Sequence, residues 1–241
     1  MQADVMELPE RHVGYECSNS LLPTLYCYLS LMTRSTFLRA LLVLPIALFF
    51  GFMPASPDFT VKPAVGSKAP DFSLKNVDGK MISLASNASA KGYIVTFTCN
   101  HCPFAKMYED RIIALDQRFA PKGYPVIAIC SNDPAASPDD SFDNMVSRSK
   151  EKHYTFPYLY DESQSAAHAY GATNTPHLFV VNKESGAFVV KYIGAIDDNA
   201  QDAKAATKHY VVDAVNALLA GKSVSVTDTK AIGCTIKWKK S

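Results

Sequence analysis

Short apolar runs alternate with longer stretches of mixed polarity between residues 70 and 222. The short runs are rich in β-branched and aromatic residues and have the length of buried strands rather than of helices. Turn-forming residues at 76–79 and 183–186 join two neighbouring pairs of runs into predicted hairpins. The predicted extended segments are two short runs within 70–84, followed by 93–98, 125–130, 157–160, 177–182 and 187–193.

The stretches of mixed polarity carry apolar residues at helical spacing, so they predict helices that bury one face. Asp139, Asp140 and Ser141 precede one of them as candidate N-terminal caps. Asp197 and Asp198 precede the last one, where carboxylates cap a helix and stabilise the positive end of its dipole. The predicted helices are 102–119, 142–152, 163–170, which ends at Gly171, and 203–220, which ends at Gly221.

The order of these elements indicates the fold class. Strand–helix–strand alternation in the first half requires parallel pairing with helices on the faces of the sheet. The hairpin in the second half adds antiparallel strands. The sequence therefore predicts an α/β fold with a mixed central sheet flanked by helices and with an N-terminal β-hairpin.

An unbroken apolar run occupies residues 40–53, which is shorter than the roughly 20 residues of a membrane-spanning helix. Arg34 and Arg39 precede it and small residues follow, which is the pattern of a secretory signal peptide. Met32 would start a conventional signal, so we expect residues 1–31 to have no structural role. An uncleaved anchor is the alternative. A span lengthened towards the N-terminus would place both arginines in the membrane, at about 2.5–3.5 kcal/mol each.

These patterns divide the chain into segments with different roles. A stretch rich in Pro, Ser, Gly and Lys links the apolar run to the folded region. We expect the protein to be exported, either periplasmic or anchored on the extracytoplasmic side, with membrane contact only through its N-terminal segment. The expected segments are a leader extension 1–31, a signal peptide or membrane anchor 32–56, a linker 57–69, a folded domain 62–222 and a C-terminal tail 223–241.

The composition of the chain limits the classes of function that it can have. Hydrophobic residues make up 48% and charged residues 20% of the chain, as in ordinary globular proteins. The formal charge of +1 gives no electrostatic reason to expect nucleic acid as a partner. Six cysteines in 241 residues are too few and too scattered for a disulfide scaffold. The one closely spaced pair, Cys99 and Cys102, is therefore better explained by chemistry than by structure.

The cysteine pair lies at the predicted junction between a buried strand and the following helix. A thiol attacks as its thiolate, and a helix N-terminus lowers the pKa of a neighbouring thiol. We therefore expect Cys99 to be the nucleophile and the more buried Cys102 to resolve the mixed disulfide. His101 would favour the Cys99 thiolate if its ring points that way. A zinc site would need a second close pair of Cys or His ligands, which the sequence lacks, so no metal is expected.

Two other cysteines lie in the predicted domain and its tail. Cys130 ends a predicted strand and is most simply a small buried hydrophobic residue. Cys234 lies in the tail, where Ile236 and Trp238 could pack back onto the domain. We interpret Cys234 as a packed or exposed spare cysteine, with a third, resolving thiol as the alternative.

Three stretches carry a family resemblance: FTCNHCPFAKMYEDRI at 97–112, the segments 131–133 and 138–140, and Tyr170-Gly171-Ala172 followed by Thr175-Pro176. Together with the tail GCTIKW they resemble the thioredoxin superfamily, and within it the redoxin (AhpC/TSA-type, peroxiredoxin-like) family. The resemblance covers about residues 65–241 and implies a thioredoxin-like fold. It also implies that Thr175 and Pro176 form a cis-proline loop that faces the cysteine pair and offers its backbone to a partner's extended chain. An ordinary trans proline opening a strand is the alternative.

The chain departs from these patterns in three ways. Thr98 stands where thioredoxins have Trp, and segment 93–97 holds no carboxylate that could accept a proton beside Cys102. The peroxidatic motif of peroxiredoxins is absent, because Val95 and Cys99 stand where that motif has Pro and Thr. Copper chaperones of this fold use a Cys-x-x-x-Cys spacing, which is one residue longer than the spacing here.

The pair and the resemblance together predict a thiol–disulfide oxidoreductase that works through a mixed disulfide. Its expected site residues are Cys99, Cys102, His101, Thr175 and Pro176. Its expected partners are protein or small-molecule thiols and disulfides, and no dissociable cofactor is implied. A peroxiredoxin-like thiol peroxidase and a copper or other metal-handling protein are the alternatives.

Overall fold

A computed structural model describes residues 62–240, and a seven-stranded mixed sheet forms its core. The two central strands, β3 and β4, are buried along their whole length, as their continuous apolar runs predict. They pair in parallel, and helix α1 connects them. The strands are β1 (Leu74–Asn76), β2 (Met81–Ile82), β3 (Gly92–Phe97), β4 (Val126–Cys130), β5 (Tyr158–Tyr160), β6 (Asn174–Thr175), β7 (His177–Glu184), β8 (Ala187–Gly194) and β9 (Cys234–Thr235).

The order of strands in the large sheet is β2-β1-β5-β4-β3-β7-β8. Strand β5 is parallel to β4, whereas β7 is antiparallel to β3 and forms a hairpin with β8. Strands β1 and β2 form the N-terminal hairpin and extend the opposite edge through β5. The helices are α1 (Pro103–Phe119), α2 (Phe142–Glu151), α3 (Ser165–Tyr170) and α4 (Tyr210–Leu219).

The two faces of the sheet bury separate apolar layers. Ile94 of β3 faces a layer that includes Ile112 of α1 and Val215 of α4. The next residue, Val95, faces the opposite layer, which includes Tyr170 of α3. This alternation follows from the two-residue repeat of a strand. The predicted α/β fold is therefore confirmed: a thioredoxin-like mixed sheet with helices on its faces and an N-terminal hairpin.

The prediction for the last helix is wrong in its first half, because α4 begins at Tyr210 rather than at residue 203. The segment before it is a loop held by Asp198. The Asp198 carboxylate accepts hydrogen bonds from the backbone N–H groups of Thr207 (2.8 Å) and Lys208 (3.1 Å). A carboxylate that binds backbone N–H groups in this way competes with helix formation, so Asp198 organises a turn instead of capping the helix.

Asp197 does not cap the last helix either. Its carboxylate accepts hydrogen bonds from Arg111 Nη1 (2.7 Å to Oδ2) and from the Tyr108 hydroxyl (3.0 Å to Oδ1), both on α1. Arg111 also donates to the backbone oxygens of Asn199 and Ala200. Asp197 is buried and Arg111 is largely buried, so this ion pair fastens the loop after β8 to the helix that carries the cysteine pair.

Part of the predicted linker belongs to the fold. Gly66 N–H donates to Val190 O, and Ala69 N–H donates to Phe188 O, both at 2.8 Å. Residues 66–69 therefore lie along the outer edge of β8. Lys68 forms an isolated bridge with Val189 in the same region.

The C-terminal segment folds back onto the domain. The sequence indicated this only through Ile236 and Trp238. Ile236 is buried, and Trp238 stacks on His168 with ring centroids 4.2 Å apart. Preceding them, β9 pairs antiparallel with β6 to form a second, two-stranded sheet that the sequence analysis missed. This small sheet places the C-terminal segment beside the candidate site.

No helix within residues 62–240 combines the length and apolar content needed to cross a bilayer. The predicted leader extension 1–31 and the predicted signal peptide or anchor 32–56 lie outside the described residues, as does the start of the predicted linker.

Loss of the Asp197 charge should destabilise the fold. We expect Asp197→Asn to lower the free energy of unfolding by about 3 kcal/mol, because it leaves the largely buried Arg111 guanidinium without its counter-ion. Urea denaturation followed by circular dichroism measures the change. Asp110→Asn, an exposed position on α1, is the matched control and should change stability by less than about 0.5 kcal/mol. Equal stability of the two variants would contradict a structural role for the ion pair.

Candidate active site

Cys99 and Cys102 lie between the end of β3 and the start of α1. Cys102 is the N-cap residue of the helix, and Pro103 occupies the first helical position. Both cysteines are free thiols, and they differ in access. Cys102 is fully buried, whereas Cys99 retains 6% of its surface exposed. Cys99 is therefore the less enclosed of the two residues and the better placed for attack from solvent.

The segment of Thr175 and Pro176 faces both cysteines. Their peptide bond is cis, as predicted. The Cys99 thiol donates to Thr175 Oγ1 at 3.4 Å, and the Cys102 thiol donates to the Thr175 carbonyl at 3.2 Å. The fold thus brings together residues that are more than 70 positions apart in the chain. The expectation that the backbone of Thr175 is open to a partner's strand is not met, since β9 already pairs with it.

His101 points towards the pair, with its Nδ1 3.8 Å from Cys99 Sγ. The same Nδ1 lies 2.6 Å from Asp140 Oδ2 and 2.8 Å from Ser137 Oγ. Because Cys99 and Asp140 contact the same ring nitrogen, His101 does not relay a proton between them through its two nitrogens, as a catalytic triad does. The contact with Asp140 instead fixes the ring beside the sulfur and would balance an imidazolium charge.

Asp140 is the site residue whose role sequence reasoning missed, since it was considered only as a helix cap. The cap of α2 is Ser141. Asp140 is fully buried and accepts hydrogen bonds from the backbone N–H groups of Asn100 (2.7 Å) and His101 (3.2 Å). The side chains of Asn132 (2.8 Å) and Ser137 (2.7 Å) also donate to it. Burial alone would raise the pKa of Asp140, but these hydrogen bonds outweigh burial and hold the pKa below its ordinary value.

A signal for this role was present in the sequence. The segments 131–133 and 138–140, noted for their family resemblance, contribute Asn132 and Asp140 to one hydrogen-bonded group. What the sequence did not show was that this group closes around the loop of the cysteine pair. The buried carboxylate that segment 93–97 lacks is thus supplied by a different part of the chain, and it lies beside His101 rather than beside Cys102.

The electrostatics of the two thiols differ from expectation, because Cys102 and not Cys99 has the lowered pKa. The interaction between the two thiols is the largest cause of both shifts: it lowers the pKa of Cys102 and raises that of Cys99. Burial raises the pKa of Cys99 further. The two sulfurs therefore titrate as a unit that loses one proton readily and holds the second tightly.

One group within residues 62–240 has the donor atoms of a metal site. Atoms of Cys99, His101 and Asp140 lie within 4.8 Å of one another. However, the Asp140 oxygen nearest to His101 already accepts from Asn132 and Ser137. A carboxylate with its lone pairs engaged in this way fits a hydrogen-bonded network better than a metal ligand.

Comparisons with known proteins place this site in context. The family model described as "AhpC/TSA family" matches residues 65–213. A conserved protein of solved structure from Geobacillus kaustophilus is 37% identical, with a TM-score of 0.69, and the match covers 79% of this chain and 99% of that one. A hypothetical protein from Sinorhizobium meliloti 1021 is 34% identical, with a TM-score of 0.69 and coverage of 75% and 98%. The thiol-disulfide oxidoreductase ResA of Geobacillus thermodenitrificans is 25% identical over 151 residues, which are 61% of this chain and 80% of that protein.

Asp140 should make stability depend on acid pH. Its pKa in the folded protein lies below the unfolded value of about 3.9, so its ionised form stabilises the fold above that pH. This contribution is lost as the pH falls through the lower, folded pKa. We therefore expect Asp140→Asn to be less stable than the wild type at neutral pH, and the difference in the free energy of unfolding to shrink below about pH 4.

Urea denaturation of both proteins over a series of pH values checks this dependence. Asp139→Asn, at the exposed neighbouring position, is the matched control and should behave as the wild type does. A difference between the wild type and Asp140→Asn that stays constant from neutral to acid pH would show that the carboxylate charge is not what stabilises the loop.

Proposed function

Because this chain belongs to the AhpC/TSA family, we propose that Cys99 and Cys102 form the redox-active pair of a thiol–disulfide oxidoreductase. The family resemblance drawn from the sequence is thereby confirmed. Both sulfurs lie beside the start of α1 and contact Thr175. This shared contact is the observation that carries the assignment. The relative named a thiol-disulfide oxidoreductase supports the same class of reaction.

The exposure of the two sulfurs supports a division of roles. Cys99 is the sulfur that a partner disulfide can reach, so it makes the first attack and forms the mixed disulfide. Its proton passes to Cys102, whose thiolate form is favoured by its lowered pKa, and the Cys99 thiolate expels the partner's first sulfur, which takes up that proton from Cys102. Cys102 then attacks Cys99 Sγ as a thiolate; the mixed disulfide breaks, a Cys99–Cys102 disulfide forms, and the partner's second sulfur leaves as a thiolate that takes up a proton from water. In the opposite direction the same steps oxidise a partner dithiol.

His101 and Asp140 act on Cys99 through position and charge. The ring nitrogen 3.8 Å from the sulfur stabilises a developing thiolate when His101 is protonated. Asp140 holds that ring in place and opposes the effect in part, since its negative charge raises the pKa of Cys99. His101 is therefore a tuning residue and Asp140 a positioning residue in this mechanism.

The partners are thiols and disulfides. Thr175 was expected to bind an extended partner chain, but its backbone edge is paired with β9. A partner that reaches Cys99 while β9 stays in place approaches from the side of His101, whose side chain is 26% exposed. A small-molecule disulfide or a protruding cysteine fits this access better than a long strand.

We also propose that the protein is exported, with residues 32–56 as signal peptide or membrane anchor. The proposal rests on the positively charged residues followed by the short apolar run 40–53. An oxidising compartment also suits a protein that carries a working disulfide.

Substitution of each cysteine tests the redox mechanism. We expect Cys99→Ser to abolish reduction of a fluorescent glutathione disulfide, because the accessible sulfur is lost. Cys102→Ser should instead stop after one turnover and accumulate a mixed disulfide on Cys99, which mass spectrometry detects. Cys130→Ala, which removes the buried thiol at the end of β4, should turn over as the wild type does.

Two outcomes would overturn this mechanism. Turnover of Cys99→Ser at the wild-type rate would remove Cys99 from the reaction. Rapid consumption of peroxide that requires Cys99, without any disulfide turnover, would favour the thiol peroxidase.

Export is tested with a reporter. We expect residues 32–69 fused to mature alkaline phosphatase to give active reporter, because that enzyme acquires its disulfides only after translocation. The same fusion with Arg34 and Arg39 both changed to Glu should lose most of this activity, since the positive flank orients the segment. An inactive parent fusion that is expressed at the same level would contradict export through this segment.

A further inference from the structure

Strand β9 brings a third cysteine to the active site. In the antiparallel pairing of β6 with β9, Cys234 lies directly opposite Thr175. The side chain of Asn174 donates to Gly233 O at 2.9 Å and fastens the start of the strand. Cys234, which the sequence suggested to be a spare cysteine, is thus aligned with Thr175, the residue that contacts both catalytic sulfurs.

The side chain of Cys234 lies on the same side of this small sheet as that of Thr175. Residues directly opposite in an antiparallel pair project to one face, with Cβ atoms about 4.5–5.5 Å apart. The Thr175 side chain contacts Cys99 Sγ at 3.4 Å, which fixes the direction of that face. Cys234 accordingly packs against the apolar cluster that contains Cys99 and Cys102.

Gly233 allows this close approach. A Cβ at position 233 would overlap with the carbonyl oxygen of Thr175 and lie 3.1 Å from the nitrogen of Pro176. Only a residue without a side chain lets β9 lie this close to the Thr175–Pro176 segment. Because the same carbonyl accepts the hydrogen bond from Cys102, the backbone beside Cys234 and the sulfur of Cys102 meet at one atom.

Cys102 and Cys234 also influence each other's pKa. The thiol and the backbone N–H of Cys234 both stabilise the thiolate of Cys102 and so help to lower its pKa. Burial, followed by this same interaction, raises the pKa of Cys234. Cys234 is also only partly buried, so it is accessible as well as close.

We propose that Cys234 is a third redox-active thiol, which exchanges with the Cys99–Cys102 disulfide by attack on Cys102 Sγ. The proposal rests on the function proposed above, because that function supplies the disulfide. It assigns the C-terminal segment a chemical role: its strand occupies the edge predicted for a partner's chain and presents a cysteine there, as a bound partner would.

The exchange step balances within the chain. Cys234 loses its proton and its sulfur bonds to Cys102 Sγ, while the bond between Cys99 and Cys102 breaks. Cys99 leaves as a thiolate and takes up one proton. One disulfide is consumed and one is formed, so the step needs no further oxidant or reductant.

The result is a chain with two alternative disulfides that share Cys102. In the Cys99–Cys102 form the accessible sulfur is oxidised and awaits a reductant. In the Cys102–Cys234 form Cys99 is a free thiol and the disulfide joins the other two sulfurs. This disulfide fixes β9 covalently to the start of α1. Cys234 therefore determines whether the oxidised protein meets a partner as a disulfide or as a thiol.

Peptide mapping tests the proposal on the full-length chain. The protein is oxidised with one equivalent of diamide, quenched with acid, alkylated on its free thiols under denaturing conditions and cleaved with trypsin. A Cys99–Cys102 disulfide stays within the peptide Gly92–Lys106, whereas a Cys102–Cys234 disulfide links that peptide to residues 231–237. We expect the wild type to give both products, with Cys99 alkylated in the linked one.

Four variants assign the linked product. Cys99→Ser should form the link in high yield, because Cys102 then has Cys234 as its neighbouring thiol. Cys102→Ser and Cys234→Ser should lose it, whereas Cys234→Ser should keep the Cys99–Cys102 loop. Gly233→Ala should keep the loop and lose most of the link, since the added methyl group displaces β9 from Thr175.

The outcomes separate this proposal from the proposed function. A wild type that forms the Cys99–Cys102 loop but never the link to residues 231–237 would overturn the third-thiol proposal and leave the redox pair intact. A chain that forms neither product would overturn both. Equal linkage of residues 231–237 to the buried Cys130 would show scrambling in the unfolded chain and would also overturn the proposal.

Discussion

Thr175 is the residue on which the geometry of the site depends. Its hydroxyl and its carbonyl each accept a thiol hydrogen bond, and its backbone pairs with β9. Thr175 is itself held in place because β7, the next strand, starts two residues later and pairs with β3 along six consecutive residues. Since β3 leads directly into the cysteine loop, the two halves of the site are attached to adjacent strands of one rigid sheet, and their spacing is set by the sheet register.

A buried carboxylate fixes the other side of the cysteine loop. An ionised Asp140 without partners would be costly at this depth, and the fold offsets that cost with two backbone and three side-chain contacts. Two of these contacts come from the backbone of Asn100 and His101, which lie between the cysteines. The same interaction that satisfies the charge therefore holds the loop in the conformation that presents Cys99. Asp140 therefore links the stability of the fold to the position of Cys99, the nucleophile.

The parts of the fold that the sequence predicted are those with strong local signals. Strands β3 and β4 are continuous apolar runs, and α1 has a long amphipathic pattern that starts at a proline. The pairing of β6 with β9 has no such signal, because each strand is two residues long and they lie 59 positions apart. The start of α4 was misplaced because hydrogen bonds from backbone N–H groups to the Asp198 carboxylate override a weak alanine-rich periodicity. Asp140 was missed because its partners come from three separate segments.

The burial of Cys102 determines how electrons can move through the site. With no exposed surface, this sulfur cannot be reached by an external disulfide, so its exchange is with the sulfurs beside it. Those are Cys99, which opens towards solvent beside His101, and Cys234, which enters from β9. Cys102 can thus form a disulfide with either of two thiols: that of Cys99, which faces outward, or that of Cys234, which the C-terminal segment contributes. A buried sulfur is suited to this position because it stays bonded through the exchange, while Cys99 or Cys234 leaves as the thiolate, and because burial protects it from side reactions with solvent oxidants.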